Sequence, residues 1–381
     1  MLTEVLERSR GLVEDTTYRR ALDWKKAGGK VVGCFPVYTP VELIHAGGML
    51  PLGVVGGGTS VELAHADSRF QSFVCSIAKS TLELGFQGRL GLLDAILFSS
   101  ICDVARNLSS VFKRNFPGVH VDYLHYPQNM SSAGVIDYME SELRRVRDNL
   151  QRVCGVEISD DRLSASILVW NRWRALIADL YALRRDEPQK ISTVELYLLF
   201  RAGTLMPVEE HIPLLEASLA EFRSRTAKPR DCIRVVVEAA FCEQPPIGLI
   251  EVLEEAGCYI VDDDLLRGWR FFDTPVGEEG PPLRSLAAAY VDGSTYSSVR
   301  HDWRKKRWEG LIDRVRLSRA DAVIFMPAKF CEPALFDYVL YREALEKASI
   351  PHLMVEFEEK MWTFERTRNE VETFVESMLF D

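Results

Sequence analysis

The sequence predicts an α/β protein with two parallel-sheet domains and a helical insert between them. Short apolar runs alternate with helical stretches in the first third of the chain, and this alternation returns after residue 229. Such alternation is typical of βαβ units and of parallel sheets. In between, the apolar residues recur with the 3.6-residue period of helices. The predicted domains are therefore 1–132 (α/β), 133–228 (helical bridge) and 229–381 (α/β).

The first domain is predicted to begin with an amphipathic helix over residues 1–20. The segment KVVGCFPVY reads as a strand, and Thr39 with Pro40 suits the N-cap and first position of the next helix. Two further strands are LPLGVV, before Gly56-Gly57-Gly58, and DAILFSS, before a helix that begins near Cys102. Open parallel sheets bind ligands beyond the carboxyl ends of their strands, so these junctions are candidate sites.

The later elements are predicted in the same way. Gly155 ends one amphipathic helix, and Ser159 with Asp160 suits the start of the next. The final domain has four predicted strands, in the segments CIRVVVEAAF, CYIVDDD, ADAVIFMPA and PHLMVEF, with helices between and after them. Consecutive strand residues point to opposite faces, so the three aspartates 262–264 are not expected to share a metal ion. They are expected to cap a strand end in solvent.

Composition and charge exclude several classes of function. Of the 381 residues, 47% are apolar and 27% are charged, which is typical of a folded protein. The net charge of −10 argues against a nucleic-acid partner. No segment has the apolar run of a signal peptide or a membrane span, so a cytoplasmic location is expected. Neither GxGxxG nor a Walker pattern is present, so ATP hydrolysis is assigned to a partner.

The glycine run Gly56-Gly57-Gly58 could approach a phosphate of coenzyme A, but a glycine run is more typical of a turn.

The cysteines are the residues that most clearly indicate a chemical function. A reducing cytoplasm argues against disulfide bonds among them. Cys102 and Cys331 follow predicted strands, and Cys75 lies at the start of a helix, where the helix dipole favours a thiolate. Thiolates are the normal ligands of iron-sulfur clusters, and an incomplete set leaves one iron open. Three thiolates from two domains could meet in the cleft between them. Free cysteines are also common in cores, so spacing alone leaves both roles open.

The remaining cysteines are interpreted mainly as packing residues. The segment around Cys242 (FCEQP) echoes the segment around Cys331 (FCEP), so Cys242 is a candidate for a further ligand or a cluster neighbour. A buried structural role is preferred for it and for Cys34. The others are interpreted as packing: Cys154, Cys232 and Cys258.

Seven segments, in order over nearly the whole chain, carry a resemblance to a known family: GCFPVYTPVELIHAGGMLPLGVVGG, FVCSIAKSTLELG, SSICDVARN, ILVWNRWRAL, CYIVDDDLL, KFCEPALFDY and RTRNEVETFVE. They resemble the 2-hydroxyacyl-CoA dehydratase and benzoyl-CoA reductase family. The segment FCEQPP before VDDDL is most similar to the smaller of the cluster-bearing subunits in ATP-dependent benzoyl-CoA reductase. Phe364-Glu365 stands where many dehydratases carry Gly-Gln, so dehydratase substrate contacts are not carried over.

The resemblance implies a fold, a cofactor and partners. It implies two Rossmann-like (flavodoxin-like) domains with helical additions, and one 4Fe-4S iron-sulfur cluster held by three cysteines that match Cys75, Cys102 and Cys331. It also implies an acyl-CoA substrate, a paralogous cluster-bearing subunit, and an ATP-hydrolysing iron-sulfur activator that draws electrons from reduced ferredoxin. Whether the cluster is a single cube or part of a larger assembly stays open.

The implied reaction is the one-electron reductive dearomatisation of benzoyl-CoA to a cyclic dienoyl-CoA. Tyr38, Glu42 and His45, around the first strand-to-helix turn, are the candidates for a proton donor, and a structural role is the alternative for each. A second reading is a subunit of a 2-hydroxyacyl-CoA dehydratase, which eliminates water through a radical. A third, of another class, is a cluster-free α/β scaffold subunit.

Overall fold

A computed structural model describes residues 2–265, 274–294, 297–300, 302–304, 306–358 and 360–379. Its strands form two parallel four-stranded sheets, of order β2-β1-β3-β4 and β6-β5-β7-β8. Both orders are those of flavodoxin-like domains, so the predicted α/β class with two Rossmann-like domains is confirmed. The strands are β1 Lys30–Cys34, β2 Met49–Gly53, β3 Ala95–Ser99, β4 His120–Leu124, β5 Ile233–Glu238, β6 Cys258–Asp263, β7 Ala322–Phe325 and β8 His352–Met354.

Helices cover the sheets and connect them. Their bounds are α1 Leu2–Glu14, α2 Arg19–Lys26, α3 Val41–Ala46, α4 Ser76–Phe86, α5 Asp103–Asn115, α6 Val135–Cys154, α7 Asp160–Asp186, α8 Thr193–Gly203, α9 Val208–Ser224, α10 Ile247–Glu255, α11 Pro282–Ala288, α12 Arg307–Ser318, α13 Glu332–Lys347 and α14 Glu365–Leu379. Every residue of β2, β3 and β7 is buried, as expected for parallel strands covered on both faces. Within the described part of the chain, no helix has both the length and the apolar character needed to cross a bilayer.

Two local predictions near the amino terminus are wrong. The expected single helix is divided into α1 and α2, because the Asp15 carboxylate accepts the backbone N–H groups of Thr17 and Arg19 and stabilises a turn. Thr39 is not the N-cap of α3. Its hydroxyl donates to the Phe35 carbonyl at 3.3 Å, and Pro40 occupies the cap position.

The first helix of the helical bridge ends, and its second helix begins, where the sequence predicts. Gly155 follows α6 with a φ of 76°, and the Ser159 hydroxyl accepts the N–H of Arg162 at the start of α7. Helix α7 has 27 residues and is therefore about 40 Å long. It contacts both sheet domains, through α3 and through β6. Helix α1 packs on α8 and α9. The limits 1–132, 133–228 and 229–381 stay a prediction.

The expected solvent exposure of the three aspartates is wrong. Asp263 and Asp264 are each 1% exposed. Asp262 accepts from Arg314 at 2.7 Å, whereas Asp263 accepts from Arg184 at 2.5 Å. The carboxylates thus have separate cationic partners, as the alternation of side chains along a strand requires.

His211 lies in the contact between α7 and α9, and we expect this contact to depend on pH. It is buried, its Nδ1 accepts from the indole N–H of Trp173 at 2.8 Å, and its Nε2 lies 2.9 Å from the Leu199 carbonyl. Burial lowers the pKa of His211 from 6.5 to about 4. Between these pH values the unfolded chain binds a proton at this site and the folded chain does not, so stability falls as the pH falls.

We expect His211 to contribute a loss of about 3 kcal/mol to the free energy of unfolding as the pH falls from 6.5 to 4. Urea denaturation across this range should show a smaller loss in His211→Gln, whose side chain does not titrate. The control is His125→Gln, at an exposed position, which should keep the wild-type dependence. An identical dependence in wild type and His211→Gln would contradict the assignment.

Candidate metal centre

The three predicted ligand cysteines occupy equivalent positions in the fold. Cys75, Cys102 and Cys331 are the N-cap residues of α4, α5 and α13. Cys102 lies beyond β3 and Cys331 lies beyond β7, and each of these strands pairs with the first strand of its sheet in chain order, β1 or β5. Cys102 and Cys331 therefore lie by the switch points, where open parallel sheets bind ligands.

Each of these cysteines is followed at the third position by an alanine whose N–H interacts with the sulfur. The Cys102 Sγ accepts from Ala105 N at 3.4 Å. The N–H groups of Ala78 and Ala334 lower the pKa of Cys75 and Cys331 in the same sense, although neither forms a capping hydrogen bond with the sulfur. A first-turn N–H group and the helix dipole both favour a thiolate. The shared Cys-x-x-Ala spacing is a local signal that sequence reasoning missed.

The three thiols interact electrostatically with one another. Burial is the main cause that raises the pKa of Cys75, and the negative charges of Glu243, Cys331 and Cys102 add to it. Burial likewise raises the pKa of Cys102, and it raises that of Cys331 to about 12. The principal charged neighbours of these thiols are acidic. A cationic metal centre is therefore the partner that would hold all three as thiolates.

The described residues offer no site for a single metal ion. In the described part of the chain, no group of three or more His, Cys, Asp or Glu residues could hold a metal ion. One ion needs all its ligand atoms within about 2–2.6 Å of the same point. In a four-iron cluster each thiolate binds a different iron, so the sulfurs stand farther apart. The cysteine-only donor set also fits iron-sulfur chemistry.

Cys242 lies beside the three thiols but differs from them in its local structure. Its pKa is raised by burial and by the charges of the other three cysteines. The residue three positions on is Pro245, which has no N–H to donate. The thiol instead donates to the Pro36 carbonyl at 3.8 Å and so connects the two sheet domains. These contacts favour a structural role for Cys242.

Glu243 is a site residue that sequence reasoning did not identify. Its carboxylate accepts the N–H of Ile77 at 3.2 Å, in the first turn of α4. The loop that carries Glu243 is held by Asp264, which accepts from the N–H groups of Ala239 and Ala240 at 2.7 and 2.9 Å. Glu243 therefore links the second sheet domain to the helix that begins at Cys75. This contact between residues 166 positions apart leaves no local signal in the sequence.

The three candidate proton donors have structural partners. The Tyr38 hydroxyl lies 2.6 Å from Ser297 Oγ, and its ring stacks on Tyr126 with the centroids 4.4 Å apart. Glu42 is fully buried against Arg174. His45 lies between the two partners Ser166 and Glu209, at 2.8 and 2.6 Å. A role in proton transfer stays a prediction for each.

Comparisons with known proteins agree over nearly the whole chain. A family model described as 2-hydroxyglutaryl-CoA dehydratase, D-component, matches residues 36–378. The chain is 39% identical over 378 residues to a benzoyl-CoA reductase subunit of Thauera aromatica, covering 98% of each protein. It is 33% identical over 360 residues to lactoyl-CoA dehydratase subunit beta of Anaerotignum propionicum, covering 93% of this chain and 94% of that one. It is also 28% identical over 354 residues to the (R)-phenyllactyl-CoA dehydratase beta subunit of Clostridium sporogenes, covering 93% of each.

Proposed function

Because the chain belongs to the 2-hydroxyglutaryl-CoA dehydratase D-component family, we propose that it is the iron-sulfur subunit of a benzoyl-CoA reductase. The observation that carries the proposal is the group of three helix-capping cysteines, Cys75, Cys102 and Cys331, which come from both sheet domains. The similarity to the Thauera aromatica benzoyl-CoA reductase subunit over 98% of both chains supports the choice of reaction. The reaction adds two electrons and two protons to the thioester-activated ring.

Cys75, Cys102 and Cys331 would hold a four-iron four-sulfur cluster. Such a cluster supplies one-electron chemistry that no side chain can perform. Three protein ligands for four irons leave one position for solvent or substrate. The chain itself would orient the Cys102 sulfur through the Ala105 N–H, and hydrogen bonds of this kind tune the potential of a cluster. The three cysteines are partly buried, which would limit access of water.

The proposed enzyme has several subunits. A paralogous cluster-bearing subunit would complete the acyl-CoA site, and separate iron-sulfur subunits would hydrolyse ATP and pass on electrons from reduced ferredoxin. Several relatives are themselves named as subunits, which supports a hetero-oligomer. We place the protein in the cytoplasm, and its eight cysteines, all free thiols, are consistent with that compartment.

A dehydratase subunit is the second candidate. The similarity to lactoyl-CoA dehydratase subunit beta, at 33% identity, favours it. The segment Phe364-Glu365 before Arg366, where many dehydratases carry Gly-Gln, disfavours it.

The complex, purified without oxygen together with its partner subunits, distinguishes the candidates. We expect iron, acid-labile sulfide and a broad absorption near about 400 nm, as for cysteine-ligated clusters. With ATP and reduced ferredoxin, it should reduce benzoyl-CoA to a cyclic dienoyl-CoA and leave lactoyl-CoA unchanged. Dehydration of lactoyl-CoA with no ring reduction would identify a dehydratase. A colourless, iron-free protein that still assembles with its partners would identify a scaffold.

A further inference from the structure

A cleft with a volume of about 490 Å³ lies next to the loop that carries Glu243. It is lined by the end of α1, the loop after β2, helix α8, the start of α10 and the segment before α14. Some polar side chains in the cleft are explained neither by a role in the fold nor by a role in the site of the three thiols. The central ones are the side chains of Arg201 and Gln244.

Arg201 brings a buried positive charge to this cleft. The residue is 8% exposed. Its Nε and Nη1 atoms are buried and have no hydrogen-bond partner among the described residues. The acidic residue of the same cleft, Glu14, is largely exposed and pairs with Arg10 at 3.6 Å instead. A buried charge without a partner is costly, so this guanidinium is suited to bind an anion.

Gln244 adds a buried acceptor. Its Nε2 donates to the Cys242 carbonyl at 3.4 Å, which fixes the orientation of the amide because only the NH2 group can donate. Its Oε1 is buried with no hydrogen-bond partner among the described residues. A ligand that offers an anion to Arg201 and a hydroxyl or amino donor to Gln244 would satisfy both groups.

The loop after β2 presents bare backbone to the cleft. Gly56 and Gly58 have φ angles of 86° and 57°, which favour glycine. A Cβ atom on Gly57 would lie 2.2 Å from a methyl group of Val61. All three positions therefore require glycine, and their lack of side chains permits close approach of a ligand.

An exposed aromatic side chain lies at the rim of the cleft. The Trp362 side chain is 71% exposed and lines the same cleft. Exposed tryptophan is a suitable stacking surface for a base, because the base covers its apolar face.

We propose that this cleft binds the phosphate-bearing nucleotide end of an acyl-CoA. Arg201 binds a phosphate, the glycine loop allows the phosphate to approach, Gln244 accepts a hydrogen bond from a ligand hydroxyl or amino group, and Trp362 stacks on the base. The inference rests on the function proposed above, since it takes the substrate to be an acyl-CoA. It assigns to this chain a substrate-binding role in addition to cluster binding.

Calorimetric titration of the full-length chain tests the site with coenzyme A, ADP, inorganic phosphate and adenosine as probes. We expect coenzyme A to bind most tightly, ADP and phosphate more weakly, and adenosine without measurable heat. Arg201→Met should weaken coenzyme A binding by about 10- to 100-fold, as expected for the loss of a charged hydrogen bond. The matched control is Arg316→Met, at an arginine whose side chain is 73% exposed on α12, which should bind as the wild type does.

A melting experiment without ligand shows whether the variant is folded. Because Arg201→Met removes a buried charge, its melting temperature should equal or exceed that of the wild type. Equal affinity of wild type and Arg201→Met for coenzyme A would overturn the proposal, as would wild-type protein that binds none of the probes. ADP or free phosphate that binds as tightly as coenzyme A would overturn the assignment to acyl-CoA. These titrations need no cluster and no turnover, so their failure is distinguishable from failure of the proposed redox function.

Discussion

Replacing Cys75, Cys102 or Cys331 by serine is expected to remove most of the bound iron and to abolish ring reduction. A serine hydroxyl ionises far less readily than a thiol and is a poor ligand for iron, so each change should leave the cluster with two protein ligands. Changes that touch only the surroundings of a metal ligand cost about 10- to 100-fold in affinity or activity. Loss of a ligand should therefore lower turnover by at least about 100-fold. Iron, sulfide and turnover are measured on complexes purified without oxygen.

Two other cysteines provide controls for this experiment. Cys154→Ser, at the end of α6, should leave iron content and turnover unchanged. Cys242→Ser is the sharper control, because Cys242 lies beside the three thiols but lacks the N–H group at the third position. It should also retain iron. Equal iron in all five variants would show that the ligands are other residues, and loss of iron in Cys242→Ser would make that thiol a ligand.

The cysteine positions were predictable because they depend on local structure. Strand-to-helix junctions can be recognised from apolar runs and helical periodicity, and parallel strands bring such junctions to one edge of a sheet. Cys102 and Cys331 are therefore identified from sequence as neighbours of a ligand-binding edge. That Cys75 also interacts with these two thiols depends on how the two sheet domains pack, and the family resemblance was needed to predict it.

Contacts between distant residues were not predictable in this way. Glu243 caps α4 across the two domains, and Arg201 meets the loop after β2 only in the folded chain. Strand β4 was missed because it has no continuous apolar run and lies at the edge of its sheet. The aspartates at 262–264 were expected in solvent because charged residues usually are. The cationic partners of Asp262 and Asp263 come from α12 and α7, which the sequence alone does not bring near them.

The largest effect on stability is expected from Asp263→Ala. Asp263 and Arg184 are both 1% exposed and form an ion pair at 2.5 Å that connects α7 to β6. The same carboxylate accepts from the Tyr181 hydroxyl and the Leu265 N–H, each at 3.0 Å. Removing it leaves the Arg184 charge buried without its counterion. Breaking a buried pair in this way costs about 3–5 kcal/mol of unfolding free energy.

Urea denaturation of three further variants tests whether the destabilisation by Asp263→Ala comes from breaking the buried ion pair. The double variant Arg184→Met with Asp263→Leu should recover most of the loss, because an apolar pair of similar volume carries no desolvation cost. Asp179→Ala breaks an exposed pair with Arg223 on neighbouring helices and should cost less than about 1 kcal/mol. Arg184→Met alone should be destabilising, since it leaves the Asp263 charge buried. If Asp263→Ala cost no more than Asp179→Ala, the contact between α7 and β6 would not depend on this ion pair.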